Sequence, residues 1–332
     1  MASLVTTRML KLFNYKTIHL ELSSKCVLKC PRCPRTELQL DRANQEITLN
    51  EFKLGFPVEV LPNIEHFIFC GDIGDPIYAT EFLEIVEYVK QNSRIRLRIV
   101  TNGSYKKVKW WQQLGNLLGS NDSVIFSIDG WDNESNNQYR INSDFDSIVA
   151  GIKTLRAYSK CSIQWSTIYF AFNQYKINDM RDFAKLLGCN YFKTVKSSKF
   201  DGRYMVNNID SLKPVDNLVA NTLVYETTVE LLSKDNYIPI IPEVPIVAHP
   251  WAKCLNYKKD LFIGIDGLVL PCPWFNNGYQ DNKFIDQYHN QLSIKNRSFF
   301  EIINDAELWG HLMKSFNENP LEICQMKCKN DQ

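Results

Sequence analysis

Residues Thr17 to Ser23 read T-I-H-L-E-L-S, and Ser24 to Glu37 continue S-K-C-V-L-K-C-P-R-C-P-R-T-E. The first stretch alternates and is β-branched at its start, so it predicts a strand. The second is polar and rich in Cys and Pro, so it predicts a loop. That loop holds Cys26, Cys30 and Cys33 in the spacing C-x3-C-x2-C. Three thiolates within so short a loop can wrap one metal cluster. Closed structural sites take four protein ligands, and the loop supplies three. The shortfall suits a catalytic iron–sulfur cluster, whose fourth iron stays open to a small molecule. The competing reading is a zinc loop completed by a distant residue such as His19.

Outward from this loop, the apolar pattern changes period repeatedly. Strands are expected at Ile64–Cys70, Ile95–Thr101, Ser123–Ile128, Ser162–Phe170 and Tyr191–Val195. Helical periodicity covers Leu49–Phe56, with Asn50 as its cap, then Glu81–Gln91, Val108–Leu118, Phe145–Tyr158 and Ile177–Leu187. Six strands, most followed by a helix, predict an α/β fold with a parallel sheet. The strand count falls short of a closed eight-stranded barrel. An open partial (β/α)6 TIM-like barrel is the first expectation, and a doubly wound sheet the second. In both, chemistry belongs at the carboxyl ends of the strands. The loops 24–37, 71–76, 102–103 and 129–130 all lie there.

The periodicity breaks near Ser197, and 197–214 read as a linker. A helix is expected at Leu218–Leu232, followed by a proline-rich stretch. Cys254 and Cys272 then form C-x12-G-x4-C around Asp266-Gly267, the turn of an expected hairpin. Two short helices, near Phe299–Ile303 and Glu307–Phe316, precede Cys324 and Cys328. A hairpin brings its ends together, and the late C-x3-C pair can complete a four-thiolate site. Four thiolates serve zinc and iron–sulfur clusters alike. The other cysteines, Cys70, Cys161 and Cys189, lie among apolar residues and are expected in the core. Three domains follow: an N-terminal extension (1–16), the barrel (17–214) and a small α+β unit (215–332).

Composition narrows the function. Lys and Arg total 38 against 37 Asp and Glu, which argues against a nucleic-acid partner. No apolar run approaches the ~18 residues of a membrane span, and the N-terminus lacks an export signal. Ten cysteines in a chain without such a signal are expected to stay reduced, in a cytoplasmic protein.

On the three-cysteine loop after the first strand, the chain resembles the radical S-adenosylmethionine (SAM) superfamily. The resemblance implies that Cys26, Cys30 and Cys33 ligate three irons of a [4Fe-4S] cluster and that SAM chelates the fourth. One electron then cleaves SAM to methionine and a 5′-deoxyadenosyl radical, which abstracts a hydrogen atom from substrate. Gly71-Asp72-Ile73-Gly74-Asp75-Pro76 resembles the family's G-G-E-P stretch, with Asp75 where Glu is usual, so Gly74 and Asp75 would meet the SAM amino group. Ser127-Ile128-Asp129-Gly130 resembles the S-x-D-G segment, placing Ser127 and Asp129 near the SAM ribose or carboxylate. Arg140 resembles an arginine that pairs with the carboxylate, and Asn102 is a further SAM candidate. Cys254, Cys272, Cys324 and Cys328 resemble the SPASM extension in its shortened twitch form, implying one auxiliary [4Fe-4S] cluster, with Trp274-Phe275 shielding it from water.

A fully ligated second cluster relays electrons, which favours a net two-electron oxidation. Twitch-containing relatives oxidise an alcohol on an aminocyclitol, so a sugar or cyclitol alcohol is the first expected substrate. Peptide or protein modification by oxidation, crosslinking or epimerisation is the second. Peptide-modifying relatives often carry an N-terminal leader-binding domain, and only some 16 residues precede the first strand. Epimerisation would need a hydrogen donor such as Cys161 or Cys189 lining the cavity. The catalytic base has no candidate in the sequence. A flavodoxin- or ferredoxin-like protein is the expected electron donor, and the reading from a different class is a non-catalytic zinc scaffold.

Overall fold

A computed structural model describes residues 16–37, 44–196, 210–214, 227–232, 260–276 and 283–318, together with Cys324. Six strands form its centre: β1 (Thr17–Glu21), β2 (His66–Cys70), β3 (Arg96–Thr101), β4 (Ser123–Ser127), β5 (Ser162–Ile168) and β6 (Tyr191–Val195). Each pairs in parallel with the next in sequence. The order never reverses, as it would in a doubly wound sheet. Consecutive parallel strands with right-handed crossovers place every helix on one face. The partial (β/α) barrel is therefore the architecture found.

Side-chain alternation gives the sheet two distinct faces. Ile18, Leu20, Phe67, Phe69, Leu97, Ile99, Val124, Phe126, Ile163, Trp165 and Phe192 join the main apolar core. Their helical partners include Phe82, Ile85, Trp111, Ile152, Leu155 and Met180. Full burial of each large apolar side chain contributes roughly 1.5–3 kcal/mol. The intervening residues, among them His19, Glu21, Cys70, Arg98, Ser127, Ser166 and Lys193, occupy the opposite, concave face.

The helices at Leu49–Gly55, Phe82–Asn92, Val108–Leu117, Phe145–Tyr158 and Ile177–Leu186 match the apolar periodicity. The cap of the first differs from expectation. Thr48, rather than Asn50, is the N-cap, because Glu51 three residues later completes a capping box with it.

The later part of the chain extends the same sheet. β7 (Thr227–Leu231) runs antiparallel to β6, where a helix over Leu218–Leu232 was expected. Residues 215–226 lie outside the described set. The run Thr227-Thr228-Val229 is β-branched, and pairing with the β6 edge outweighs the helical period. β8 (Asp260–Ile263) adds in parallel to β1, and β9 (Val269–Leu270) returns antiparallel to β8. The hairpin expected at Asp266-Gly267 is present, with Gly267 at φ +83°, a conformation open to glycine at no steric cost. Helices follow at Lys283–Leu292, Phe299–Ile303 and Ala306–Glu318. Among the described residues, no helix is long and apolar enough to cross a membrane.

Candidate active site

The cysteine loop leaves β1 at its carboxyl end and is held by backbone bonds from two sides. Ser24 N donates to Gln45 O (2.9 Å) and Cys33 N to Cys30 O (3.1 Å). From the far side, Lys29 N donates to Ile141 O (2.9 Å) and Asn142 Nδ2 to Val27 O (2.7 Å). Arg35, in the short helix after Cys33, donates from Nη1 to Cys26 O (2.5 Å).

Cys30 belongs to a small apolar cluster with Leu28, Tyr139, Phe170 and Leu212, and Cys26 and Cys33 pack against it. Tyr139 and Phe170 lie with ring centroids 4.3 Å apart. Burial pushes the Cys26 thiol up to about 12, with Asp75 adding to the effect and Cys30 and Cys33 close enough to contribute. Burial also raises Cys30, while Arg140 beside it pulls the other way. Among the described residues, no three ligating side chains are gathered around the position of a single metal ion. The fit to a cluster rests on the donors: three thiols on one loop, in a largely dry apolar cluster, needing a cationic group to become thiolates. His19, the distant fourth ligand of the zinc reading, instead bonds Asp260, with Nε2 3.3 Å from Oδ2.

The loop after β2 packs tightly on the start of the cysteine loop. A Cβ on Gly74 would lie 1.9 Å from Ser23 O, so only glycine fits the approach. Asp75 N donates to Lys25 O (3.0 Å). The Asp75 carboxylate is buried and occupied: Oδ1 accepts Ile77 N (3.2 Å), and Oδ2 accepts Thr101 Oγ1 (3.0 Å), Asn102 N (2.7 Å) and Asn102 Nδ2 (2.5 Å). Burial nevertheless raises it to about 6. Asp75 thus ties the β2 loop to the β3 loop and sets Asn102, whose Nδ2 lies 3.7 Å from Cys26 Sγ.

Asp129, after β4, is equally enclosed. Its Oδ1 accepts Ile168 N (2.7 Å) and its Oδ2 accepts Arg140 Nε (2.6 Å). Asn136 Oδ1 accepts both Asp129 N and Gly130 N. Arg140 is therefore paired with Asp129 and adjacent to Cys30. Ser127 closes β4 on the concave face, level with Ser166 of β5. The structure thus brings Cys26, Cys30, Cys33, Asp75, Asn102, Asp129 and Arg140 to one end of the sheet.

Glu21 is a site residue that the motifs did not reveal. It is buried at the end of β1 and accepts the N–H groups of Asp72 and Ile73, so it anchors the loop carrying Gly74 and Asp75. Burial, and then Asp72, raise it to about 7. The alternation Thr17-His19-Glu21 was the available signal. Neither Ile141 nor Asn142, which clamp the cysteine loop, belongs to a motif. Cys161 and Cys189 lie in the core as expected. Cys70 differs: it is half-buried beside Glu21 on the concave face, where alternation places it.

Of the four C-terminal cysteines, Cys254 and Cys328 lie outside the described residues. Cys272 follows β9 after Pro271 and packs against the main core, which the buried Cys324 joins. Trp274 packs against that core and Phe275 is buried in it.

Comparison with known proteins agrees with this geometry. Residues 20–187 match the family model of the radical SAM superfamily. A curated relative, the tungsten-containing aldehyde ferredoxin oxidoreductase cofactor-modifying protein of Pyrococcus furiosus, is 29% identical over 114 residues, covering 34% of this chain and 31% of that protein. Among solved structures, Streptococcus suis SuiB bound to S-adenosylmethionine aligns at TM-score 0.61 and 15% identity, over 91% of this chain and 69% of that one. SuiB bound to precursor peptide SuiA aligns at 0.61 and 15%, over 94% and 70%. Native anSMEcpe with bound AdoMet aligns at 0.52 and 15%, over 88% and 82%. At such identities these structures speak for the fold, while the family model spans half of the sequence, three-cysteine loop included. This chain belongs to the radical SAM superfamily.

Proposed function

We propose that this radical SAM enzyme modifies a side chain of a peptide or protein by oxidation. Cys26, Cys30 and Cys33 would hold the SAM-binding [4Fe-4S] cluster. When bound, that cluster and SAM supply a 5′-deoxyadenosyl radical able to remove a hydrogen atom from unactivated carbon. The chain's own residues prepare the place. Glu21 and Asp75 fix the loop at Gly74, Asn102 stands over the Cys26 sulfur, and the Tyr139–Phe170 pair keeps water from Cys30. Ser127, Asp129 and Arg140 line the side away from that loop, where they would orient SAM.

One observation carries the choice of a peptide. The fold likeness to SuiB reaches well beyond residues 20–187, to 94% of the chain in the form bound to its precursor peptide. Nothing comparable supports the sugar or cyclitol alcohol expected from the cysteine pattern. An oxidised side chain gives up a hydrogen atom, a proton and an electron. The four cysteines Cys254, Cys272, Cys324 and Cys328 would hold the auxiliary [4Fe-4S] group that takes the electron, and a flavodoxin- or ferredoxin-like protein would supply the electron that SAM cleavage consumes. Cys272 supports this by its position just after the hairpin.

The test is reconstituted enzyme with SAM and dithionite, supplied in parallel with a peptide library and with aminocyclitols. Deoxyadenosine formation stimulated by peptides, with a matching loss of two mass units in a peptide, is the expected result. Stimulation by cyclitols alone would overturn the peptide reading.

A further inference from the structure

The turn between β3 and the helix Val108–Leu117 breaks several folding preferences at once, and at exposed residues. Tyr105 is exposed and has φ +62°, a left-handed conformation that a bulky side chain adopts only under strain. Its N–H donates to Ser147 Oγ (2.8 Å), which holds it there. Lys107 is the N-cap of the helix, makes no side-chain cap bond, and is followed by no acidic residue in the first turn. Lys107 and Lys109 instead set cations at the positive end of the helix dipole, where anions are favoured. Val108 between them is exposed. Local preferences broken together point to function rather than folding.

The surface so built is cationic with an apolar centre. No Asp or Glu occurs from Gly103 to Asn121, and neither Lys107 nor Lys109 is paired with an acid among the described residues. Across the Ser147 contact, Asp144 caps its own helix and Asp146 accepts Asn133 Nδ2 (2.8 Å). Lys106 lies over the rings of Tyr78 (5.6 Å) and Trp110 (4.7 Å).

This surface is connected to the cysteine loop by successive contacts. Below Lys106, Tyr78 Oη lies 2.8 Å from Ser104 O and 3.3 Å from Asn102 Oδ1. Asn102 Nδ2 in turn lies 3.7 Å from Cys26 Sγ. A partner seated on the lysines would therefore be separated from the Cys26 sulfur by Tyr78 and Asn102.

We propose that Tyr105, Lys106, Lys107, Val108 and Lys109 form the docking surface for an acidic one-electron donor protein. This rests on the reading that Cys26, Cys30 and Cys33 hold a reducible group. The donor is oxidised by one electron, which enters beside Cys26 and is consumed when a C–S bond of SAM breaks to give methionine and the 5′-deoxyadenosyl radical. The patch is local in a chain of formal net charge +1, so it suits a small acidic protein better than a long polyanion. Exposed Tyr105 and Val108 add the apolar contact of a protein interface, and electron-transfer encounters use small interfaces.

The test uses the anaerobically reconstituted full-length protein, with an acidic flavodoxin and an acidic ferredoxin as probes and basic cytochrome c as control. Calorimetry is expected to show saturable binding of at least one acidic probe, weakening as salt is raised, and no binding of cytochrome c. Lys107→Glu/Lys109→Glu should weaken that binding about tenfold or more. Tyr105→Gly, which relieves the backbone strain, should melt no lower than wild type and still bind the probe more weakly. Deoxyadenosine formation is then measured with the reduced acidic probe and with dithionite. The double variant should be slowed with the protein donor, whereas dithionite, which needs no docking surface, should serve wild type and variant alike. A wild type that binds neither acidic probe, a double variant that binds as wild type does, or an equal loss with dithionite would overturn the inference. Cleavage of SAM with dithionite but no binding of an acidic probe rejects this inference alone. Binding without any cleavage by the wild type, even with dithionite, rejects the enzymatic reading.

Discussion

The Nε of Arg140 donates to Oδ2 of Asp129 across 2.6 Å, with the Asp129 side chain fully buried. Arg140 also lies beside the Cys30 sulfur, so this pair ties the loop after β4 to the cysteine loop. Removing one partner of a buried pair strands the other charge, at about 3–5 kcal/mol. Asp129→Ala is therefore expected to lower unfolding free energy by about that amount, measured by urea denaturation of the metal-free protein. A loss under about 1 kcal/mol would show that the pair is not holding these loops together.

Glu21 gives a pH-dependent stability. Its folded-state pKa is raised to about 7 from 4.5, chiefly by burial. Between those values the folded protein keeps a proton that the unfolded chain has released, so stability falls as pH rises through the window. Glu21→Gln keeps an acceptor for the Asp72 and Ile73 N–H groups without the buried charge. The variant is expected to match wild type near pH 4.5 and exceed it by about 3 kcal/mol above pH 8. Parallel stability curves would refute the assignment.

Gly74 is expected to tolerate no side chain. The added methyl of Gly74→Ala would meet Ser23 O at 1.9 Å, and overpacking of this kind costs typically ~1–3 kcal/mol. Because the strain falls between the cysteine loop and the loop at Asp75, SAM affinity should drop together with stability. Equilibrium dialysis and thermal melts on the same samples check both.

Asn102 is expected to tune the cluster. Its Nδ2, 3.7 Å from Cys26 Sγ, offers a donor to a ligating sulfur, and such donors stabilise the reduced, more negative state. Asn102→Ala should lower the reduction potential by tens of millivolts, read in a potentiometric titration followed by EPR. An unchanged potential with a normal thermal melt would remove Asn102 from this role.

The six parallel strands were legible because every one alternates core residues with concave-face residues, as Ile18-His19-Leu20 and Phe67-Ile68-Phe69 do. Helices such as Phe145–Tyr158 were legible from their apolar stripes. β7 was not, since its period suits a helix and only the exposed edge of β6 makes Thr227-Thr228-Val229 a strand. The cysteine ligands carry their meaning in their spacing. Glu21, Ile141 and Asn142 do not, because their roles come from contacts between distant segments: Glu21 to 72–73, Ile141 to Lys29, Asn142 to Val27. Asp75 shows a subtler gap. Its place in the motif was readable, whereas its engagement with Thr101 and Asn102 depends on how the β2 and β3 loops meet.

The most direct measurement is iron and sulfide per chain on anaerobically reconstituted protein, followed by deoxyadenosine formation with SAM and dithionite. Wild type is expected to bind about eight irons and cleave SAM, while Cys26/Cys30/Cys33→Ala keeps about four irons and forms no deoxyadenosine. Zinc in place of iron, with no SAM cleavage by the wild-type protein, would contradict the account.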